Sequence, residues 1–66
     1  MAVLKVIEIM AESPESWEKA TQNAVDEVCK TVRNVESVFI QHFTTVVKDG
    51  KITKYRVNAK ISFTVD

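Results

Sequence analysis

The 66-residue sequence contains one cysteine, one glycine and one proline, and each scarcity excludes a kind of site. Cys29 alone allows neither a disulfide within the chain nor a zinc site built from several cysteines. Gly50 alone excludes glycine-rich phosphate loops and dinucleotide fingerprints, which need several glycines at fixed spacings. A phosphate group would therefore have to be held by side chains, such as those of Lys54 and Arg56.

The chain also lacks net charge, since nine Lys and Arg balance nine Asp and Glu. Proteins that bind nucleic acid usually carry an excess of positive charge, so we expect no nucleic-acid partner. The apolar run over residues 2–10 is interrupted by Lys5 and Glu8. It is shorter than the ~20 residues that span a bilayer, and no cleavage site of a signal peptide follows it. We expect no membrane partner and, with a free cysteine, a cytoplasmic location.

The small size of the chain predicts one domain, residues 1–66, that needs support beyond its own core. A domain of this length buries only ~60 % of the surface that its unfolded chain exposes. Ordering it costs roughly 1.5 kcal/mol per residue. Because disulfides and cysteine zinc sites are excluded, self-association is the remaining support.

The first predicted element is a strand over residues 2–10, which is rich in Val, Ile and Leu. Its alternate residues are mainly apolar on both faces, with Val3, Ile7 and Ile9 on one and Leu4, Val6 and Met10 on the other. This pattern is typical of a strand covered on both sides. Because the chain is so small, we expect another subunit to cover the second face of this strand.

A helix is predicted from about residue 14 to 33. Ser13 is the expected N-cap, with Pro14 at the first helical position. Mainly apolar residues then recur at three- and four-residue steps and form one stripe that faces a core: Trp17, Ala20, Thr21, Ala24, Val25, Val28, Val32 and Val35. Asn34 tolerates the left-handed conformation that ends many helices.

A hairpin follows, because two β-branched and aromatic runs flank Asp49 and Gly50, a strong two-residue turn signal. If Lys48 faces Lys51, the residues paired on the core face follow by counting: Val46 with Thr53, Thr44 with Tyr55, His42 with Val57, Ile40 with Ala59, and Val38 with Ile61. The predicted fold class is α+β, in the order β-α-β-β, with a three-stranded antiparallel sheet wrapped around one helix.

The same counting places Phe39, Gln41 and Phe43 on the other face of the sheet, with Asn58 and Arg56 opposite them. Two phenylalanines among polar residues indicate a contact surface, because aromatic residues and Arg are enriched at such sites. We favour a subunit interface, and a ligand-binding face is the alternative.

Catalytic chemistry is not predicted. His42 is the only histidine, its predicted position is on the core face, and no acid or nucleophile is spaced to act with it. Cys29, beside Val28 and Val32, is interpreted as a small buried hydrophobe. The acidic residues match no calcium loop and are interpreted as a solvated face, although symmetry could bring copies together around a hard cation: Glu8, Glu12, Glu15, Glu18, Asp26 and Glu27.

The order of elements, the length and several short segments resemble the dodecin family over nearly the whole chain. The segments are Ser13-Pro14-Glu15-Ser16-Trp17-Glu18 at the helix start, Val6-Ile7-Glu8-Ile9 before it, Lys30-Thr31-Val32 after it, and Tyr55-Arg56-Val57 with Ile61-Ser62-Phe63 in the last strand. The resemblance implies a hollow homododecamer without enzymatic activity. It also implies a ligand, which in many dodecins is a flavin stacked between subunits.

Two positions set this chain apart from flavin-binding dodecins. In those proteins a tryptophan early in the second strand and a glutamine in the third strand hold the flavin; by resemblance, the corresponding residues here are Ser37 and Arg56. The resemblance therefore implies a dodecamer that stores or sequesters a small ligand, by family default FMN or riboflavin, with the affinity for flavin weakened. The alternative is a flavin-free dodecamer that binds calcium or another cation, or has a purely structural role.

Overall fold

The computed structural model describes residues 3–65, which form four elements. These are β1 (Val3–Ser13), α1 (Trp17–Cys29), β2 (Val35–Lys48) and β3 (Lys51–Val65). The strands form one antiparallel sheet in the order β1-β3-β2. The predicted β-α-β-β arrangement is therefore confirmed. The first strand extends three residues beyond its predicted end, and the predicted start at Ala2 lies outside the described residues.

The helix begins after Ser16 rather than after Ser13. Ser16 has an extended backbone, and its hydroxyl accepts a hydrogen bond of 2.9 Å from the backbone N–H of Lys19. Ser13 is still paired in β1, opposite Tyr55, and its hydroxyl accepts from the N–H of Glu15 at 3.0 Å. The predicted N-cap was wrong because Ser13 closes the turn over Pro14 and leaves the capping role to the second serine.

The helix ends at Cys29, four residues before its predicted end, and a short connection leads to β2. Asn34 in this connection has a φ angle of 61°, which confirms the predicted left-handed residue. Its carbonyl oxygen accepts a hydrogen bond of 3.1 Å from the N–H of Thr64. This bond holds the connection against the end of β3. The carbonyl group of Asn34 thus has its hydrogen-bond partner in the sheet rather than in the helix. None of the helices in residues 3–65 is long and apolar enough to cross a membrane.

The core lies between α1 and one face of the sheet, the inner face. Its buried hydrophobic residues are Ala20, Ala24 and Val28 from the helix and Val57, Ala59 and Ile61 from the central strand. These helix residues belong to the predicted apolar stripe, which is thereby confirmed as core-facing. Three of the six are alanines, so the helix lies close to the sheet but the core has little volume. Such a core agrees with the expectation that the chain needs further support.

The hairpin turn is confirmed, but part of its predicted register is wrong. Asp49 and Gly50 have φ angles of 54° and 75°, as a two-residue hairpin turn requires, and Lys48 faces Lys51. Irregularities lie between Val46 and Val47 and between Ile40 and His42, where Thr53 and Gln41 have no partner in the ladder. Counting from the turn cannot detect such bulges, each of which moves the following residues by one position.

Between the two bulges, the residues of β2 lie on the opposite faces of the sheet from those predicted. The pairs Ile40 with Ala59 and Val38 with Ile61 are confirmed, whereas the three pairs predicted nearer the turn are wrong. Phe43 is opposite Val57, on the inner face. His42 is opposite Asn58 and exposed, so its predicted position on the core face was wrong.

The predicted surface of Phe39, Gln41, Phe43 and Asn58 is thereby divided. Phe39, opposite Lys60, shares the face turned away from α1 with Asn58. Phe43 lies on the inner face, and Gln41 is the exposed, unpaired residue of a bulge. The shared face was wrong because the bulge at Gln41 reverses the alternation of β2. The role of these residues as an interface or ligand face stays a prediction.

Candidate functional site

The sheet face turned away from α1, here called the outer face, carries Ser37 and Arg56, the two residues predicted from the sequence as ligand-binding positions. Residues that are opposite each other in adjacent strands share a face, and alternate residues along a strand change face. On this basis the outer face is formed by Leu4, Val6, Glu8, Met10 and Glu12 of β1, by Ser62, Lys60, Asn58 and Arg56 of β3, and by Ser37, Phe39, His42 and Thr44 of β2.

Large apolar side chains on the outer face are exposed in the single chain. Leu4, Val6, Met10 and Phe39 have exposed fractions of 52, 58, 58 and 64 %. Three of them belong to β1, which confirms that this strand is apolar on both of its faces. Exposed apolar side chains gathered on one face indicate a surface that contacts another molecule.

Arg56, at one of the two positions, is held by an acidic residue of the neighbouring strand. Glu12 is opposite Arg56 in the ladder, and the Arg56 Nε donates a hydrogen bond of 2.8 Å to Glu12 Oε1. The Nη2 group donates to the same oxygen, at 2.5 Å, and Lys54 Nζ lies 3.5 Å from Oε2. The hydrogen bond from Arg56 lowers the pKa of the Glu12 carboxyl below its ordinary value, and the positive charges of Arg56 and Lys54 act in the same direction.

Ser37, at the other position, also has its partner within the chain. It is opposite Ser62, and the two hydroxyl groups form a hydrogen bond across β2 and β3. A hydroxyl group offers no surface on which an aromatic ring system can stack. The residues at both positions are thus engaged in contacts with their own chain.

The two positions lie far apart in a single chain. Ser37 faces Ser62, and Arg56 is six residues from Ser62 along β3. At a rise of ~3.3 Å per residue, this spacing separates them by about 20 Å along the strand. One copy of the chain therefore does not bring Ser37 and Arg56 together, and a site that uses both residues requires a second copy.

Three aromatic residues form a cluster at the end of the inner face. Trp17 makes edge-to-face contacts with Phe43 and Tyr55, at centroid distances of 5.6 and 5.1 Å. The indole Nε1 donates a hydrogen bond of 3.1 Å to the carbonyl oxygen of Thr44. The contact between Trp17 and Phe43 was missed because it depends on the bulge in β2. The cluster holds the indole on the face opposite to Ser37 and Arg56.

Acidic side chains do not converge within the part of the chain that the structure describes. Among residues 3–65, no group of three or more His, Cys, Asp or Glu residues is placed to hold a metal ion. Glu12 is paired with Arg56, Glu27 lies 3.4 Å from Lys30, and Asp26 accepts a hydrogen bond from Gln22. Cys29 is exposed, so its interpretation as a buried residue was wrong.

Comparison with known proteins agrees with this architecture. The family model described as Dodecin matches residues 3–66. Calcium dodecin of Mycobacterium tuberculosis is 39 % identical over 64 residues, which cover 96 % of this chain and 89 % of that protein. Its crystal structure, described as that of a calcium-chelating antigen with a calcium-binding site, has a TM-score of 0.84 at 34 % identity, covering 97 % of this chain and 91 % of that chain.

A dodecin from Streptomyces davaonensis is also similar in structure. It has a TM-score of 0.92 at 25 % identity, with 98 % of this chain and 96 % of that chain covered. The family model and the mycobacterial relative each cover nearly all of the sequence, and both structures share its fold. The chain belongs to the dodecin family.

Proposed function

We propose that this chain is the subunit of a non-enzymatic homododecamer that binds a small ligand, and that the ligand is calcium rather than flavin. The choice of calcium over flavin rests mainly on one observation, the pairing of Arg56 with Glu12 on the outer face. The proposal has three parts, which concern assembly, the weak affinity for flavin, and the affinity for a cation.

The exposed apolar side chains of the outer face support assembly. Burying apolar surface contributes about 25 cal/mol per Å², and the core of a single chain is small. Leu4, Val6, Met10 and Phe39 are each more than half exposed, so covering them with another copy adds the stabilisation that the core lacks.

The contacts of Ser37 and Arg56 argue against flavin. Losing an aromatic partner removes stacking worth about 0.5 to 1.5 kcal/mol for each ring pair, beyond the area buried. Arg56 adds a bulky cation to the position at which flavin-binding dodecins carry a neutral amide. Because Glu12 holds the guanidinium, moving Arg56 aside for a flavin would break a charge-assisted hydrogen bond.

The similarity to calcium dodecin supports a cation. Ca²⁺ takes 6–8 oxygen ligands at about 2.3–2.6 Å, with carboxylates common among them. The chain has nine Asp and Glu, several of them exposed, but within residues 3–65 no three of them lie close enough together to hold a metal ion. We propose that carboxylates of neighbouring copies complete the site, with Glu8, which is exposed on the outer face, as one contributor.

Other features agree with a binding protein that acts in the cytoplasm. His42 is exposed and opposite Asn58, whose amide can serve neither as the acid partner nor as the nucleophile of a catalytic histidine. The free Cys29 is typical of a reducing compartment. The absence of net charge gives no general attraction for nucleic acid, and we propose neither nucleic acid nor a membrane as a partner.

Parallel titrations of the assembled protein test the choice of ligand. Protein that has been dialysed against a chelator is titrated with calcium and with magnesium by calorimetry, and with riboflavin by fluorescence quenching. We expect calcium to bind at a fixed ratio to subunits, magnesium to bind more weakly, and riboflavin to show no saturable quenching. Glu8→Gln should reduce calcium binding, whereas Glu27→Gln should leave it unchanged. Saturable riboflavin binding without calcium binding would overturn the proposal.

A further inference from the structure

The turn end of the β2–β3 hairpin extends beyond the other elements of the fold. β1 pairs with β3 no nearer to the turn than Tyr55, so residues 46–54, here called the hairpin overhang, have only each other as partners among the described strands. The described residues measure 51 Å along their longest axis, whereas the thirteen residues of α1 span only ~20 Å at 1.5 Å per residue. Trp17, the first residue of α1, contacts Tyr55, and Val28 near its end packs against Ile61. The helix therefore runs away from the turn and leaves the hairpin overhang uncovered.

The inner face of the hairpin overhang is apolar and exposed. Val47 and Ile52 are opposite each other, and both side chains are more than half exposed, because α1 begins short of them. Alternation along β2 places Val47 on the same face as Thr45, whose partner Tyr55 contacts Trp17. Exposed apolar side chains that lie together indicate a surface that contacts another molecule.

Two lysines flank the turn beside this apolar pair. Lys48 and Lys51 are opposite each other, next to Val47 and Ile52, and both are exposed. Neither lysine takes part in an ion pair of the described residues. Like charges directly opposite each other in a ladder repel, so an acidic partner surface would stabilise this turn. A second overhang is an unsuitable partner, because the contact would bring four lysines together.

The start of α1 carries the opposite charge. Glu15 and Glu18 line a depression with a volume of about 360 Å³, together with Lys19. Both acids are exposed, and neither belongs to an ion pair among the described residues. The turn has Asp49 between its two lysines, and the depression has Lys19 beside its two acids. The two surfaces are therefore complementary in charge, each with two charges of one sign and one of the other.

The two surfaces lie apart within one copy. Lys51 is four residues from Tyr55 along β3, which is about 13 Å at ~3.3 Å per residue, and the start of α1 lies at Tyr55. The turn therefore points beyond its own helix. A second copy of the chain is a partner that offers the acidic surface and can reach the turn.

From these observations we propose that the hairpin overhang of one copy docks on the start of α1 of the next copy. The two lysines of the turn then face the two acids of the depression, and the apolar pair Val47 and Ile52 is covered by the neighbouring helix start, where Trp17 is partly exposed. Such a contact joins two different surfaces, so it is head-to-tail and closes copies into a ring when the rotation allows. The inference rests on the proposed homododecamer and names a second contact within it. A second contact is needed, because a face that contacts the same face of another copy ends at a pair of subunits.

Charge reversal on each side of the contact, and then on both sides, tests this inference. One double variant combines Lys48→Glu with Lys51→Glu, and the other combines Glu15→Lys with Glu18→Lys. Each brings like charges together across the contact, so each should lose the twelve-subunit particle in native mass spectra. The variant with all four changes restores opposite charges and should regain the particle. The changed residues are all exposed, and recovery in the combined variant separates a lost contact from a folding defect.

A matched control reverses a charge elsewhere on the helix. Glu27→Lys changes an exposed acid near the other end of α1 and should keep the particle, and equal loss in this variant would overturn the inference. The inference is also overturned if both double variants keep the subunit number, which would leave a foreign molecule, or none, as the cover of the hairpin overhang. A combined variant that assembles no better than the double variants would overturn it as well. Failure of the proposed function is distinguishable, because the unchanged protein would then itself be a monomer.

Discussion

Glu12 and Arg56 are opposite each other in β1 and β3, and the guanidinium of Arg56 donates two hydrogen bonds to one oxygen of the Glu12 carboxylate. Lys54 lies beside the second carboxylate oxygen. By the resemblance to flavin-binding dodecins, this contact lies at the position predicted to correspond to their glutamine. It links the stability of the sheet to the ionisation of one carboxyl group, and it lies on the face that we propose as the ligand surface.

The first prediction concerns the pH dependence of stability. Arg56 lowers the pKa of Glu12 below its ordinary value of 4.5 in the folded protein. The pair therefore stabilises the fold above pH 4.5, and this stabilisation is lost as the pH falls through the lowered pKa. We expect the midpoint of thermal unfolding to fall more steeply with acid in the unchanged protein than in Glu12→Gln. Glu27→Gln, which alters an exposed pair, should follow the unchanged protein, and identical acid profiles for all three would contradict the role of Glu12.

The second prediction concerns Trp17. Trp17→Phe keeps an aromatic ring between Phe43 and Tyr55 but removes the hydrogen bond from the indole Nε1 to the carbonyl oxygen of Thr44. A hydrogen bond of this kind contributes about 1 kcal/mol to the free energy of unfolding. Trp17→Ala should cost more, because it also removes the ring contacts. Chemical unfolding measures both differences; equal stability of Trp17→Phe and the unchanged protein would show that the hydrogen bond contributes nothing.

The third prediction separates the two phenylalanines. Phe39→Asp places a charge among exposed apolar residues of the outer face and should dissociate the assembly, whereas Phe39→Leu keeps the surface apolar and should not. Phe43→Asp lies beside Trp17 on the inner face and should lower stability chiefly by disturbing the aromatic cluster. Size-exclusion chromatography with light scattering measures the subunit number. An intact particle with Phe39→Asp would remove this residue from the subunit contacts.

The fourth prediction concerns Ser37 and Arg56, which by resemblance correspond to the tryptophan and the glutamine of flavin-binding dodecins. Ser37→Trp combined with Arg56→Gln provides an aromatic surface and a neutral amide, and should strengthen riboflavin binding by an intact particle. Arg56→Gln alone should not, since it leaves no ring to stack on. Fluorescence quenching of riboflavin measures the affinity. If the double variant binds no better than the unchanged protein, the pocket differs at more than these two positions.

The sequence alone predicts most of the fold but only part of the outer face. The apolar stripe of α1, the apolar residues on both faces of β1 and the turn at Asp49 and Gly50 are local patterns, and the structure confirms each of them. The faces of His42 and Phe43 depend on a bulge at Gln41, which has no local sequence signal. The pairing of Glu12 with Arg56 joins residues 44 positions apart, so it becomes visible only when β1 lies beside β3.

Native mass spectrometry of freshly purified protein tests the central claim most directly, because one spectrum gives both the subunit number and any retained mass. The account predicts twelve subunits that carry calcium and no flavin. A dodecamer whose mass exceeds that of its subunits by whole flavin molecules would contradict the proposed ligand. It would mean that residues other than Ser37 and Arg56 form a flavin-binding pocket. A monomer would contradict the assembly on which the whole account depends.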